Sequence, residues 1–183
     1  MSNHWSFFRE ALRNFRSTGA IASSSPALVK KLVAKLPVNR PLNIVELGPG
    51  NGCVTRAILS KVHPDSRVTA FEINAAFVRQ LSAVEDARLR VLPVGAERIT
   101  EYFPAGSVDF VVSSLPLSMI PREVKADILE QARLALGPDG EFFQYQYALQ
   151  DYSLMKDYFG RVSVSFTMAN LPPAFIYSCV VGC

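Results

Sequence analysis

The sequence predicts an α/β fold: a mostly parallel, seven-stranded sheet with helices on both faces, closed by an antiparallel pair of strands and preceded by one or two helices. Three observations predict it. Residues 42–52 read LNIVELGPGNG, an apolar run followed by Gly48, Gly50 and Gly52, after which the pattern switches to helical spacing at Val54. A continuous apolar run is how a strand buried on both faces reads, and glycine lets the backbone turn sharply and approach a ligand. The helix that follows then offers its free N–H groups to that ligand. Second, the strand-then-helix alternation recurs as far as residue 147, which fits parallel strands joined by right-handed crossovers. Third, the last two apolar runs are separated by NLPP, too short for a parallel crossover.

Each element has its own local reason. Across residues 5–15, Trp5, Phe8, Leu12 and Phe15 fall on one helical stripe with Arg9, Arg13 and Arg16 beside it. That pattern suits either the interface of an anionic membrane or a helix packed on the domain. Residues 17–25 are small and polar, a lid over a cofactor or a plain connector. Ser25 is placed to cap a helix starting at Pro26, with Leu28, Leu32 and Leu36 on one side and Lys30, Lys31 and Lys35 around it, stopped by Pro37 and Pro41. Residues 54–62 read as a helix and 67–72 as a second strand. Asn74 caps a helix to about Ser82. Strands follow at 89–94 and 108–112, a helix at 121–136, a turn at 137–140 and a strand at 141–147. In that strand Gln144 and Gln146 point one way while Phe143, Tyr145 and Tyr147 point the other. A short helix at 151–159 precedes the final strands, 161–168 and 174–181.

Composition bounds the function. The 183 residues are 49% hydrophobic and 19% charged, enough for a sizeable core and against disorder. No apolar run approaches the roughly 18 to 20 residues of a membrane-spanning helix. The first apolar cluster, broken by Arg9, Glu10 and Arg13, does not read as a secretory signal. Cys53, Cys179 and Cys183 lack close metal-ligand spacing, and His4 and His63 stand alone, so no metal is expected and a reducing cytosol is the expected compartment. The net charge of +3 is unevenly spread. Residues 1–40 hold seven basic side chains against Glu10, a local charge of +6, while the remainder is mildly acidic. A basic end of this kind meets phosphates, of lipid head groups or of nucleic acid. The natural division is therefore an N-terminal helical segment at 1–40 and an α/β domain at 41–183.

Two acids direct the ligand reading. A nicotinamide or flavin fingerprint would want glycine at the sixth place from Gly48, which is Cys53. Glu46, two residues before the first glycine, instead resembles the first motif of class I methyltransferases, where the cationic methionine end of S-adenosylmethionine lies over the turn. Glu72, 20 residues beyond Gly52 at the end of the second strand, is placed to accept from a ribose diol. With Phe7, Phe8, Gly19, Ala20, Ile21, the serines at 23–25, VELGPGNG, VVSSLPL, FFQYQY and NLPPA, the chain resembles bacterial phospholipid N-methyltransferases of the phosphatidylethanolamine type.

The resemblance implies a Rossmann-like class I methyltransferase fold and methyl transfer from S-adenosylmethionine to a lipid amine. By the same likeness Glu46, Gly48, Gly50 and Gly52 would hold the methionine part, Glu72 the ribose, and Ser113, Ser114, Leu115 and Pro116 the methyl-transfer centre, with Ser113 also facing the cofactor. Where the family usually carries an acid for the adenine amino group, this chain has Gly95. The Ala96 N–H still suits the ring, and Glu97 is the nearest substitute acceptor. Tyr145 and Tyr147 read either as cation-π partners for a methylated ammonium or as core aromatics. Ribosomal-RNA adenine dimethylases share the glycine turn and a polar-Leu-Pro loop. They place an aromatic residue after the proline and a helical domain after the sheet, whereas here Leu117 follows and the chain stops, which argues against nucleic acid as partner. A non-catalytic membrane-binding protein retaining the fold is the reading from a different class. The expected partners are thus a phospholipid substrate and, through the N-terminal helix, an anionic membrane surface, with the protein cytoplasmic and peripheral on the inner face.

Overall fold

A computed structural model describes residues 25–170 and 172–182. The Trp5 to Phe15 stripe and most of the small-residue loop lie outside the described residues. The first described helix, α1 (Pro26–Val33), starts where the capping rule places it: the Ser25 hydroxyl accepts from Leu28 N–H at 3.1 Å. Helix α1 ends at Val33, one turn earlier than the apolar spacing to Leu36 predicts, because Pro37 cannot continue it. Leu36 is nonetheless buried.

Seven strands then form one sheet: β1 (Asn43–Leu47), β2 (Arg67–Phe71), β3 (Leu89–Leu92), β4 (Val108–Ser113), β5 (Leu136–Gln146), β6 (Arg161–Thr167) and β7 (Ala174–Val180). Their spatial order is β3-β2-β1-β4-β5-β7-β6. Strands β1 to β5 are parallel, while β7 runs antiparallel between β5 and β6. The intervening helices are α2 (Cys53–Lys61), α3 (Ala75–Ser82), α4 (Arg122–Ala135) and α5 (Tyr152–Tyr158). The seven-stranded, mostly parallel sheet with an antiparallel end is thus the architecture the pattern predicts.

Side-chain alternation assigns the two faces. Val45, Leu47, Val111, Phe142, Tyr177 and Cys179 face α4 and α5. Ile44, Val68, Phe110, Val112, Phe143 and Ile176 face α1 and α2, which supply Leu28, Leu32, Val54 and Ile58. Phe110 and Phe143 stack at 5.6 Å across β4 and β5, in the offset geometry that aromatic pairs favour. Two expected boundaries are corrected. The third strand stops at Leu92 rather than residue 94. Residues 137–140 form no separate turn but a bulge inside β5: Val108 pairs with Leu136, and the next pair is Phe110 with Glu141. The Gly-Pro-Asp-Gly composition reads as a turn locally, whereas pairing on either side of it makes it an interruption within one strand.

The carboxyl ends of β1, β2, β4 and β5 share one edge, the side where open α/β sheets hold their ligands. Helix α1 is tied to that edge. Ser25 N–H donates to Asn170 Oδ1 at 2.9 Å, the Ser25 hydroxyl donates to the Ala169 carbonyl at 2.7 Å, and Lys31 Nζ donates to the Phe166 carbonyl at 2.6 Å. The serine loop and the NLPPA segment, 145 residues apart, therefore meet.

Candidate active site

The glycine turn leaves β1 with Gly48, Gly50 and Gly52 all in the left-handed region, at φ of 66°, 58° and 78°. Side chains rarely adopt that conformation, so glycine at these three places is a backbone requirement. Space separates two of the three. A Cβ on Gly52 would lie 2.6 Å from Leu81 Cδ2, so this glycine serves close packing of α3. A Cβ on Gly50 would meet nothing within 4 Å, so its strain-free turn borders open space.

Glu72 organises that space. It is 1% exposed, immediately beyond β2. Its Oε2 accepts from Gly50 N–H at 3.0 Å and its Oε1 accepts from Asn74 N–H at 2.9 Å. The carboxylate thus locks the glycine turn to the start of α3, whose own cap is Asn74 Oδ1 accepting from Ala76 N–H at 2.9 Å. A solvated strand-end glutamate is not what the structure contains. Glu46 is also fully buried, on the face toward α2. Its negative charge, second to burial itself and opposed by Arg56, pushes the Cys53 thiol up.

A cleft opens beside the turn, walled by Gly48, Phe71, Glu72, Ile73, Asn74, Ala96 and Leu115. The far wall begins at Gly95, which is buried and precedes a short 3₁₀ segment, Ala96–Glu101. Here Glu97 folds back over Gly95: a Cβ at residue 95 would lie 2.5 Å from Glu97 Oε1 and 2.6 Å from its carboxyl carbon. The carboxylate of residue 97 fills the place a side chain at residue 95 would take.

The loop after β4 forms the remaining wall. Ser114 N–H donates to the Leu47 carbonyl at 2.9 Å, joining the loop to the end of β1. Ser113 is fully buried, and its hydroxyl accepts from Leu115 N–H at 3.4 Å, so it shapes the loop from behind. Leu115 reaches the cleft, and Pro116 is half-buried beside it. Tyr147 is not among the cleft walls. It follows β5 on the α1 and α2 face, 39% exposed, edge-on to buried Tyr145 at 6.3 Å.

Sequence reading passed over the groups that hold this loop. Gln144 Nε2 donates to the Leu115 carbonyl at 3.0 Å and to the Tyr145 carbonyl at 2.7 Å. Gln150 Nε2 donates to the Ser118 carbonyl at 3.2 Å. Lys125 Nζ and Asp151 Oδ1 form a buried ion pair at 2.5 Å between α4 and the residue preceding α5. The available signal was the alternation FFQYQY, because a glutamine on an otherwise apolar face needs a buried partner. Among the described residues, no group of three His, Cys, Asp or Glu side chains converges as a metal site would require.

The donor set fits S-adenosylmethionine. An open cradle lies above Gly50, a buried carboxylate stands near the end of β1, a second walls the cleft just beyond β2, and a third folds over Gly95 next to the cleft wall Ala96. Four comparisons bear on this arrangement. The model of a family described as a methyltransferase domain matches residues 44–140. An ornithine lipid N-methyltransferase of Singulisphaera acidiphila is 30% identical over 185 residues, covering 98% of this chain and 96% of that protein. The crystal structure of Burkholderia thailandensis 1,6-didemethyltoxoflavin-N1-methyltransferase, with bound 1,6-didemethyltoxoflavin and S-adenosylhomocysteine, superposes at a TM-score of 0.75 and 15% identity, covering 100% of this chain and 92% of its own. Precorrin-6y C5,15-methyltransferase of Geobacter metallireducens does so at 0.67 and 16%, covering 84% and 87%. At these identities the two structures share the fold alone.

Proposed function

The chain belongs to the S-adenosylmethionine-dependent class I methyltransferases, and from that premise we propose that it methylates the amine of a lipid head group of the phosphatidylethanolamine type. The observation that carries the reading is the end-to-end match with a lipid N-methyltransferase, which includes the segments on both sides of the cleft. The charge of α1 supports a phosphate-bearing lipid. Its lysines Lys30 and Lys31, and Lys35 just beyond its end, have no acidic neighbour between Pro26 and Leu36, and α1 is tied to the site edge through Ser25 and Lys31.

S-adenosylmethionine supplies a methyl group already activated on a cationic sulfur. What the protein must add is alignment of a nitrogen lone pair with the carbon–sulfur bond. In this reading Glu46 and the Gly48 to Gly52 turn hold the amino-acid end, Glu72 orients the ribose and Ala96 lies against the adenine. Glu97 takes over the adenine amino group from the position that Gly95 leaves bare. The acceptor amine must be neutral, and a primary ammonium has a pKa of about 10. Carbonyl and hydroxyl acceptors on the Ser113 to Pro116 loop orient it, and the apolar surroundings of Leu115 and Leu117 favour the uncharged form. Gln144 contributes by fixing the direction of the Leu115 carbonyl. The proton lost on methylation leaves toward solvent at the open edge.

Anionic inner-leaflet lipid would draw the lysines of α1 and the arginines of the N-terminal stripe to the cytoplasmic face. The test is incubation with labelled S-adenosylmethionine and, separately, phosphatidylethanolamine, ornithine lipid and RNA. Label in the first lipid supports the full reading. Label in ornithine lipid alone keeps the lipid and changes the head group, and label only in RNA overturns both.

A further inference from the structure

We propose that the carboxyl edge of the β5–β7–β6 half is a contact surface for an anionic lipid bilayer, built from exposed apolar side chains on the same edge of the sheet at which the site opens. This rests on the lipid-amine reading above. Of the eight large apolar side chains exposed among the described residues, six are Met119, Tyr147, Leu149, Tyr152, Phe166 and Met168. Topology gathers these six. Strand β7 is antiparallel to both β5 and β6, so β5 and β6 end at the same edge as β4. Met119 follows β4, Tyr147, Leu149 and Tyr152 follow β5, and Phe166 and Met168 close β6. The remaining two lie elsewhere: Val38 precedes β1 and Leu134 ends α4, at the opposite edge.

Cross-strand pairing makes the surface continuous. Phe175 pairs with Gln146 on one side and Phe166 on the other, which puts Phe166 about 10 Å from the end of β5. The bond from Gln150 to the Ser118 carbonyl brings the Met119 loop against the loop carrying Tyr147, Leu149 and Tyr152. Isolated exposed apolar residues are ordinary, but a group gathered at one edge marks a contact surface.

Charge and chemistry commit that surface to a bilayer. Lys31 donates to the Phe166 carbonyl, exposed Lys30 stands beside it, and Lys156 Nζ lies 5.8 Å from the Tyr152 ring. Glu123 and Asp157 are neighbours in sequence to Arg122 and Lys156, so the excess positive charge comes from α1. Tyrosines with an apolar body and a polar tip, flanked by lysines, suit the head-group zone, where rings enter and ammonium groups meet phosphate. The cleft wall Leu115 belongs to the loop that opens at this edge. A lipid with its tails still in the membrane can bring its amine there only when the bilayer lies against it.

The test uses the full chain carrying Leu149→Glu and Met168→Glu together, with vesicles of phosphatidylethanolamine and increasing phosphatidylglycerol. Both positions lie outside the cleft walls, so calorimetry with S-adenosylhomocysteine should return the parent affinity and certify the fold. Sedimentation with vesicles should fall at least about tenfold, since such binding scales with inserted apolar area. Vesicle binding equal to the parent overturns the proposal, as does a parent that binds no vesicles, and retention on a protein partner in place of vesicles does so equally. A short-chain phosphatidylethanolamine below its micelle concentration separates the two ideas. If both chains methylate it equally while only the variant fails on vesicles, surface and lipid-amine reading both stand. If the parent labels neither form, the lipid-amine reading fails on its own account.

Discussion

The two halves of the sheet hold their polar groups in different ways. Around β1 and β2, one buried carboxylate gathers backbone groups from both sides: Glu72 accepts from Gly50 N–H, 22 residues back, and from Asn74 N–H, two residues on, while Asn74 caps its own helix. Around β5 and β7, the buried polar groups reach across the fold. Gln144 meets Leu115 29 residues away, and Lys125 meets Asp151 across 26. The first half is a preformed cradle in which one carboxylate ties two backbone segments together beside open space, and the second holds one loop in place through side chains of other elements. Cofactor affinity should therefore depend on the first half, and global stability together with the position of the loop after β4 on the second.

The largest expected effect breaks the second half. Asp151→Ala strands the Lys125 ammonium in a buried site, and removal of one partner of such a pair costs about 3 to 5 kcal/mol. Denaturant unfolding should show that loss, whereas a Lys125→Met, Asp151→Leu double variant should recover much of it. Equal losses in the two would mean that packing rather than charge holds this corner.

Next comes the cradle. Gly50→Val places a β-branched residue at φ 58° and fills open space above the turn. Affinity for S-adenosylhomocysteine should fall by roughly 100-fold, about 2.7 kcal/mol. Glu72→Ala removes the acceptor of two backbone N–H groups and should cost about 1.5 to 3 kcal/mol of binding, read by calorimetry. Neither should disturb methyl-acceptor KM if the halves act separately.

A smaller effect sharpens the far wall. Glu97→Gln should weaken S-adenosylhomocysteine severalfold, about 1 kcal/mol for one hydrogen bond, and leave an analogue with an oxygen in place of the adenine amino group unaffected. If both ligands lose equally, Glu97 only packs over Gly95.

The smallest effect concerns pH. Hydrogen bonds from the Arg88 side chain and backbone hold the Asp86 carboxyl at about 2. Because the folded value is depressed, its contribution is present above the ordinary carboxylate range and is lost as pH falls from about 4 toward 2. Discounted for solvent screening, it amounts to about 1 kcal/mol. Arg88 also donates to the Leu59 carbonyl at 2.8 Å, so Asp86→Asn should loosen the approach to β3 and flatten the acid limb of the stability curve.

The sequence by itself determined what depends on neighbours along the chain. The strand, glycine turn and helix at 42–61, the caps at Ser25 and Asn74, and the facing of residues 142–147 follow from sterics and periodicity within a few residues. Glycine at 48, 50 and 52 could be seen as a turn, and its left-handed backbone accounts for it. Only the tertiary structure decided what depends on distance between remote segments. It inserted β7 between β5 and β6, turned residues 137–140 into a bulge by pairing both flanks with β4, and joined Ser25 to Asn170. It also folded Glu97 over Gly95, aimed Gln144 at Leu115, and set Met119, Leu149 and Met168 on one edge. Periodicity tells which face of an element is apolar but not which element covers it, because that choice is made by packing the whole chain at once.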